Sequence, residues 1–185
     1  MTSPFGAPAA EAIPTSWLSG DHLVAVGTVL AAVVTGLVAI ATFRAERRLA
    51  RSERLATAFA QAIQAVEDYM EAPYRIRRRP ARDAQIRFAL TSHVSEIQSR
   101  IAFHQAWMAV DASSVAVPYQ RLVEAARVEA GVQMSYAWRG PATRADKDVP
   151  MGVRQPHPLS TEAKTACLTA MRIELNRSRS FWHVG

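Results

Sequence analysis

One stretch of the sequence restricts the fold more than any other: residues 23–43 contain no charged side chain over 21 positions. A helix of this length covers roughly 30 Å, the thickness of the hydrocarbon core of a bilayer. Backbone amides and carbonyls in lipid must be paired within the segment, so we expect one transmembrane helix. A buried helix of a soluble protein and a cleaved signal peptide are the alternatives. The length of the run and the missing basic residues before it disfavour the signal peptide.

The charges on either side of this stretch predict its orientation. Residues 1–22 contain Glu11 and Asp21 and no Lys or Arg, and should form a flexible extracytoplasmic tail. Residues 44–54 contain five juxtamembrane arginines, namely Arg44, Arg47, Arg48, Arg51 and Arg54. Flanks rich in arginine stay in the cytoplasm, so the sequence predicts a single-pass protein of the inner membrane with residues 44–185 inside.

Small residues recur along the predicted transmembrane helix. Gly27, Ala31 and Thr35 are spaced by four, and Ala32 and Gly36 form a second pair. Such a face lets two helices approach closely in lipid. The pattern therefore predicts a homo-oligomer formed through the transmembrane helix, although Ala and Gly are common in any helix of this composition.

Composition excludes several classes of protein. The chain carries a net charge of +6 and contains a single cysteine, which rules out an intramolecular disulfide framework and a cysteine-based zinc site. Of its 22 basic residues only Lys147 and Lys164 are lysine. This bias toward arginine is typical of a GC-rich genome and favours a bacterial or phage source.

The rest of the chain predicts an all-α fold in which the transmembrane helix continues into a cytoplasmic antiparallel bundle of three to four helices. We expect helices at about 45–72, 82–110, 118–138 and 160–176, with a loop at 139–159. Apolar residues recur at helical spacing in the first three of them. The first helix carries Leu55, Phe59, Ala62, Val66 and Tyr69; the second carries Ile86, Leu90, Ile97, Ile101 and Met108; the third carries Tyr119, Leu122, Val123, Ala126, Ala130 and Met134.

The densest run of charge lies between the first two predicted bundle helices. Its arginines are Arg75, Arg77, Arg78, Arg79 and Arg82. Such a cluster can bind an acidic protein partner, or phosphates of lipid or nucleic acid. If the first helix is upright, the turn lies roughly 40 Å below the membrane, which disfavours lipid. The lack of interleaved aromatic residues and of a recognised motif disfavours nucleic acid. The alternative is a solvated turn between helices.

No catalytic motif is present, and no cofactor is expected. His93 and Glu96 are three residues apart, which is a spacing used in helical di-metal sites, but a matching second motif is not evident. They are weak metal candidates, and a histidine satisfied by hydrogen bonds is the simpler interpretation. Cys167 has no visible base partner and should be a small buried residue.

The C-terminal tail combines arginine with large aromatic side chains, namely Arg177, Arg179, Phe181 and Trp182. If the fourth helix returns toward the bilayer, these residues suit a membrane surface. A frayed terminus is the alternative.

These features predict a non-enzymatic, membrane-tethered protein whose helical domain binds a partner, as an adaptor, a regulator or a phage-type exclusion factor. Two other functions remain open. One is a membrane-anchored helical metalloenzyme, and the other is a membrane-active effector that oligomerises through its span.

Overall fold

The computed structural model of the protein describes residues 20–81, 83–145, 148 and 156–179, with no side chains given for residues 20–29 and 179. The described chain forms four helices and no β-strand, with one isolated parallel β-bridge between Pro80 and Thr143. The helices are α1 (Gly20–Arg77), α2 (Ala84–Asp111), α3 (Ser113–Arg139) and α4 (Pro158–Arg179). The predicted all-α bundle is therefore confirmed.

The chain divides into two compact units, residues 1–47 and residues 48–185, and α1 contributes to both. In the first unit, the side chains of residues 30–47 are all exposed. Within the described part of the chain, none of the helices is both long enough and apolar enough to cross a membrane.

The second unit is an up-and-down bundle, as its polar contacts show. Arg100 donates to Asp68 at 2.9 Å, and Arg75 donates to His93 at 2.8 Å, so α2 runs antiparallel to α1. Only Ala112 separates α2 from α3. Tyr119 of α3 contacts Ala62 of α1, and Ala137 near the end of α3 contacts Arg79 after α1, so α3 runs parallel to α1 and antiparallel to α2.

The fourth helix lies antiparallel to α3. Ser160, near the start of α4, donates to Glu129 at 2.6 Å, and Ser114, at the start of α3, donates to Glu174 at 2.7 Å. The beginning of α4 therefore packs beside the middle of α3, and the end of α4 packs beside the beginning of α3.

The core of the bundle consists of the apolar faces that the spacing predicts. On α1 the whole seam of five residues that begins at Leu55 is buried, and so are the predicted α3 residues from Tyr119 to Ala130. The hydroxyl group of Tyr119 donates to the carbonyl of Ala62 at 3.2 Å, which satisfies the buried phenol. On α2 the prediction is wrong at one end, since Ile86 is 37% exposed.

Two helices extend past the bounds that the sequence predicts, and in each the extension places a proline inside the helix. The first helix continues beyond Pro73 to Arg77 and so buries Ile76 completely. The third begins five residues before Pro118 and buries Val115. A proline inside a helix removes one backbone hydrogen bond, and in both places the buried side chain offsets that loss.

The start of α2 has a side-chain cap. Asp83 has an extended backbone conformation, and its carboxylate accepts a hydrogen bond from the amide of Ile86 at 2.9 Å. Aspartate is among the best N-cap residues, so this turn ends with a defined helix start.

Candidate functional site

The turn between α1 and α2 contains the predicted arginine cluster, and the structure separates one member from the rest. Arg79 is only 8% exposed, so it does not belong to a surface patch. Its guanidinium donates to the carbonyls of Ala137, Trp138 and Gly140 at the end of α3, over 2.6–3.0 Å, and to Ile76 at 3.0 Å. Arginine near a helix C-terminus satisfies carbonyls that have no partner within the helix. The expectation that Arg79 binds a partner is therefore corrected, because its donors are used inside the domain.

The backbone of Arg79 is tied to the loop that follows α3. Its carbonyl accepts from the amide and the hydroxyl of Thr143 at 3.0 and 2.8 Å, and the carbonyl of Thr143 accepts from Ala81 at 2.9 Å. The guanidinium also lies 5.1 Å from the ring centre of Trp138. These contacts hold the α1–α2 turn against the end of α3.

The other described arginines of the predicted patch reach the surface. Arg75 and Arg78 are exposed and Arg77 is half-buried, while Arg82 lies outside the described residues. Arg77 lies 5.9 Å from the ring of Tyr74.

The contacts of Arg79 with the end of α3 and with Thr143 bring two further exposed arginines to this part of the surface. These are Arg139, at the end of α3, and Arg144, which follows Thr143. We call Arg75, Arg77, Arg78, Arg139 and Arg144 the arginine surface. Between described residues, the arginine surface forms one ion pair, which joins Arg78 to Glu71 at 4.0 Å. The surface therefore carries excess positive charge.

Beside Arg77 there is a groove of about 500 Å³. Its walls are Arg77 and one side of α3, which contributes Val128, Glu129, Val132, Gln133 and Tyr136. The two valines and Tyr136 are 54–64% exposed. Sequence reasoning missed this groove, because nothing in the spacing of α3 shows that this side is left uncovered.

Glu129, at the edge of the groove, stabilises the start of α4. Its carboxylate accepts hydrogen bonds from the amides of Leu159 and Ser160 and from the Ser160 hydroxyl, over 2.6–3.1 Å. It therefore caps the start of α4 from a neighbouring helix. Burial favours a raised pKa for Glu129, but these hydrogen bonds and His157, 3.9 Å away, outweigh it and lower the pKa.

The weak metal candidates do not form a metal centre in the described structure. His93 accepts a hydrogen bond from Arg75, which has no acceptor of its own, so its Nε2 atom is already engaged by a cation. Glu96 is exposed, and no group of three His, Cys, Asp or Glu residues in the described chain could hold a metal ion. His104 is buried in the apolar face of α2, where burial and then the charge of Arg100 lower its pKa.

Cys167 is buried, as predicted. Burial raises the pKa of its thiol to about 11. A thiol with such a pKa is a poor nucleophile at neutral pH.

The predicted transmembrane residues are described in part. Ala31, Ala32, Thr35 and Gly36 are exposed on α1, and Gly27 lies in the same helix. The five juxtamembrane arginines are also exposed, and the guanidinium of the second, Arg47, lies 4.1 Å from the centre of the Phe43 ring.

The predicted tail is described only at its beginning. Arg177 donates to Glu174 at 2.9 Å, and Arg179 is the last residue of α4. Phe181 and Trp182 lie outside the described residues. The structure therefore leaves the membrane-surface role of the tail as a prediction.

Comparison of the chain with protein-family models, with curated proteins and with solved structures finds no match in any of the three.

Proposed function

We propose that this chain is a non-enzymatic, single-pass membrane protein whose helical domain binds an acidic protein partner at the inner face of the membrane. It would act as an adaptor, a regulator or a phage-type exclusion factor. The observation that carries the proposal is the uncharged run of residues 23–43, followed directly by five arginines.

The exposed side chains of this run support a lipid environment. They lie on all sides of the helix, and the large ones are Leu30, Val33, Val34, Leu37, Val38, Ile40 and Phe43, each at least 50% exposed. A helix that is apolar all round belongs in a protein core or in a membrane. The first seven residues of the run precede the first described side chain, so for them the proposal rests on the sequence alone.

Two threonines within the run are also suited to lipid. The hydroxyl of Thr35 donates to the carbonyl of Ala31 at 2.8 Å, and that of Thr42 donates to the carbonyl of Ala39 at 2.9 Å. A polar side chain in hydrocarbon must find its hydrogen-bond partner within the protein. Both threonines do so within their own helix.

Partner binding is supported by the arginine surface. Guanidinium groups form bidentate hydrogen bonds with carboxylates, and this surface has one internal ion pair among the described residues, at 4.0 Å. Complementary charge accelerates association and selects the partner more than it adds affinity. An acidic protein surface fits these properties.

Topology is tested with reporters on the full-length protein. A reporter after Gly185 should be active only in the cytoplasm, and one before Thr2 only outside. Moving three arginines from residues 44–54 to the N-terminal tail should invert the protein. Cytoplasmic activity of the N-terminal reporter in the unmodified protein would refute the orientation.

Partner binding is tested by charge reversal. Arg77→Glu with Arg78→Glu should lower recovery of the cross-linked partner from membranes, more strongly at low salt, because exposed charges are screened by salt. The matched control reverses two exposed arginines of α3, Arg121 and Arg127. Equal recovery with both double variants would refute a role for the arginine surface.

A further inference from the structure

We infer that the groove beside Arg77 takes apolar side chains from an acidic, amphipathic segment of the partner protein. The inference rests on the proposed partner-binding function and names the part of the partner that is recognised. It is carried by an exposed apolar row, an unbalanced positive charge and an unpaired acceptor, all at one place.

The apolar row is Val128, Val132 and Tyr136, which follow one another at intervals of four residues along α3. The row is roughly 12 Å long, since each residue of a helix rises 1.5 Å. Its side chains are 59%, 54% and 64% exposed, although Ala126 and Ala130 on the other side of the same turns are buried. A partner helix would match this row with two apolar side chains three or four residues apart.

The charge at the groove selects an acidic segment. Arg77 forms one wall, and Arg139 lies 5.3 Å from the ring of Tyr136. The acid among the lining residues, Glu129, is occupied by three hydrogen bonds from the start of α4. Among the described residues at the groove, Arg77 and Arg139 outnumber this one carboxylate, so a net positive charge remains. Tyrosine and arginine are also among the residue types that are enriched at binding hot spots.

The groove also offers a hydrogen-bond acceptor. The Oε1 atom of Gln133 is buried and has no partner among the described residues, while its Nε2 atom is 3.4 Å from His157. A buried amide oxygen without a partner costs free energy. An N–H group of a bound segment would satisfy it, which fixes the position of that segment along the apolar row.

The end of α4 lies far from the groove. The groove lies beside the start of α4, and the 22 residues of α4 carry the chain roughly 33 Å away from it. The contact between Ser114 and Glu174 places the end of α4 beside the opposite end of α3. We assign the groove to a segment of the partner protein because its exposed arginines match acidic side chains.

The probe is a displayed library of random peptides, panned against the full-length protein in detergent micelles. Enriched peptides should carry Asp or Glu next to two large apolar residues three or four positions apart. The affinity of one enriched peptide is then measured for single variants of the protein. Val132→Glu should weaken binding at least about tenfold, or about 1.4 kcal/mol, because a charge at a binding hot spot removes a central apolar contact.

The matched control is Val117→Glu, which introduces the same charge at a valine of α3 that is equally exposed, at 55%, and outside the groove. It should leave binding unchanged. Tyr136→Ala is a second groove variant without added charge, and it should also weaken binding. Thermal unfolding of each variant shows whether the bundle is intact.

Reversing the charge of the protein and of the peptide together identifies the ionic contact between them. Arg77→Glu should weaken binding, and a peptide whose acidic residues are replaced by lysine should regain affinity for that variant alone. Enrichment of peptides without acidic residues would overturn the inference, and so would equal binding to the Val132 and Val117 variants. A change in the oligomeric state of the Val132 variant, with peptide binding unaltered, would assign the groove to a second copy and would also overturn it.

The two proposals can fail separately. If charge reversal at Arg77 and Arg78 lowers partner recovery while Val132→Glu does not, the proposed function stands and the groove is not its docking site. If none of these variants affects partner recovery, both proposals fail.

Discussion

Arg79→Ala tests whether the arginine that sequence reasoning placed on the surface instead holds the bundle together. The substitution removes four hydrogen bonds from a charged donor to carbonyl groups, at 2.6–3.0 Å. A hydrogen bond that involves a charged group contributes roughly 1.5–3 kcal/mol to stability. The four contributions do not add, because they share one side chain and water reaches part of the vacated site.

We therefore expect the free energy of unfolding to fall by about 3 kcal/mol, against a total of about 5–15 kcal/mol for a typical domain. For a domain of this size, 1 kcal/mol shifts the melting temperature by about 4 °C, so the loss corresponds to roughly 12 °C. The measurement is the thermal unfolding of the full-length protein in detergent, followed by circular dichroism.

Two variants make this measurement specific. Arg79→Lys keeps the charge but loses the planar fork of donors, so it should recover only part of the stability. Arg78→Ala removes the neighbouring exposed arginine, whose ion pair with Glu71 is 4.0 Å long, and should change stability by no more than about 0.5 kcal/mol. If Arg79→Ala unfolds at the same temperature as Arg78→Ala, the tie between the turn and α3 does not stabilise the domain.

Three further predictions concern the core, the span and the start of α4. Phe59→Ala should destabilise the bundle by roughly 3–5 kcal/mol, since Phe59 is buried edge-on against Trp107; an unchanged denaturation curve would show that α1 is not packed there. Gly27→Ile with Ala31→Ile should reduce cross-linked dimer without affecting membrane insertion, and equal association of the variant would leave the small-residue pattern without a role. Glu129 has a lowered pKa in the folded state, so its contribution to stability is present above its ordinary pKa of 4.5 and is lost as the pH falls through the folded value. The stability of Glu129→Gln should therefore depend less on pH in the acidic range than that of the wild type, and identical pH profiles would contradict this assignment.

The sequence predicted the parts of the fold that depend on periodicity. The seam of α1 and the buried face of α3 follow from apolar residues at helical spacing, because a helix must bury such a stripe. The helix bounds predicted at residues 72 and 118 were less accurate, because α1 continues through Pro73 and α3 begins before Pro118. A proline within a helix destabilises it by roughly 3 kcal/mol. Complete burial of Ile76 or Val115 stabilises the fold by a comparable free energy. This burial depends on the tertiary structure, so local sequence does not reveal it.

The candidate site was harder to predict because its contacts join distant parts of the chain. Arg79 meets carbonyl groups 58–61 positions later, and Glu129 meets amides about 30 positions later. Local spacing carries no signal for either contact. The fourth helix was predicted from about residue 160, yet it begins two residues earlier, and the carboxylate of Glu129 on α3 caps its start.

The buried Arg79 and the exposed arginine surface therefore depend on each other: Arg79 holds in place the segments that carry part of the surface. A count of arginines between residues 75 and 82 overestimates the charge available to a partner, because one guanidinium is used to hold the end of α3. The same contacts bring Arg139 and Arg144 beside the turn and position one wall of the groove next to Arg77. It follows that Arg79 should influence partner binding without touching the partner. Arg79→Lys, measured at a temperature where the domain remains folded, should weaken peptide binding less than Arg77→Glu does, and the weakening should be independent of the charges on the peptide.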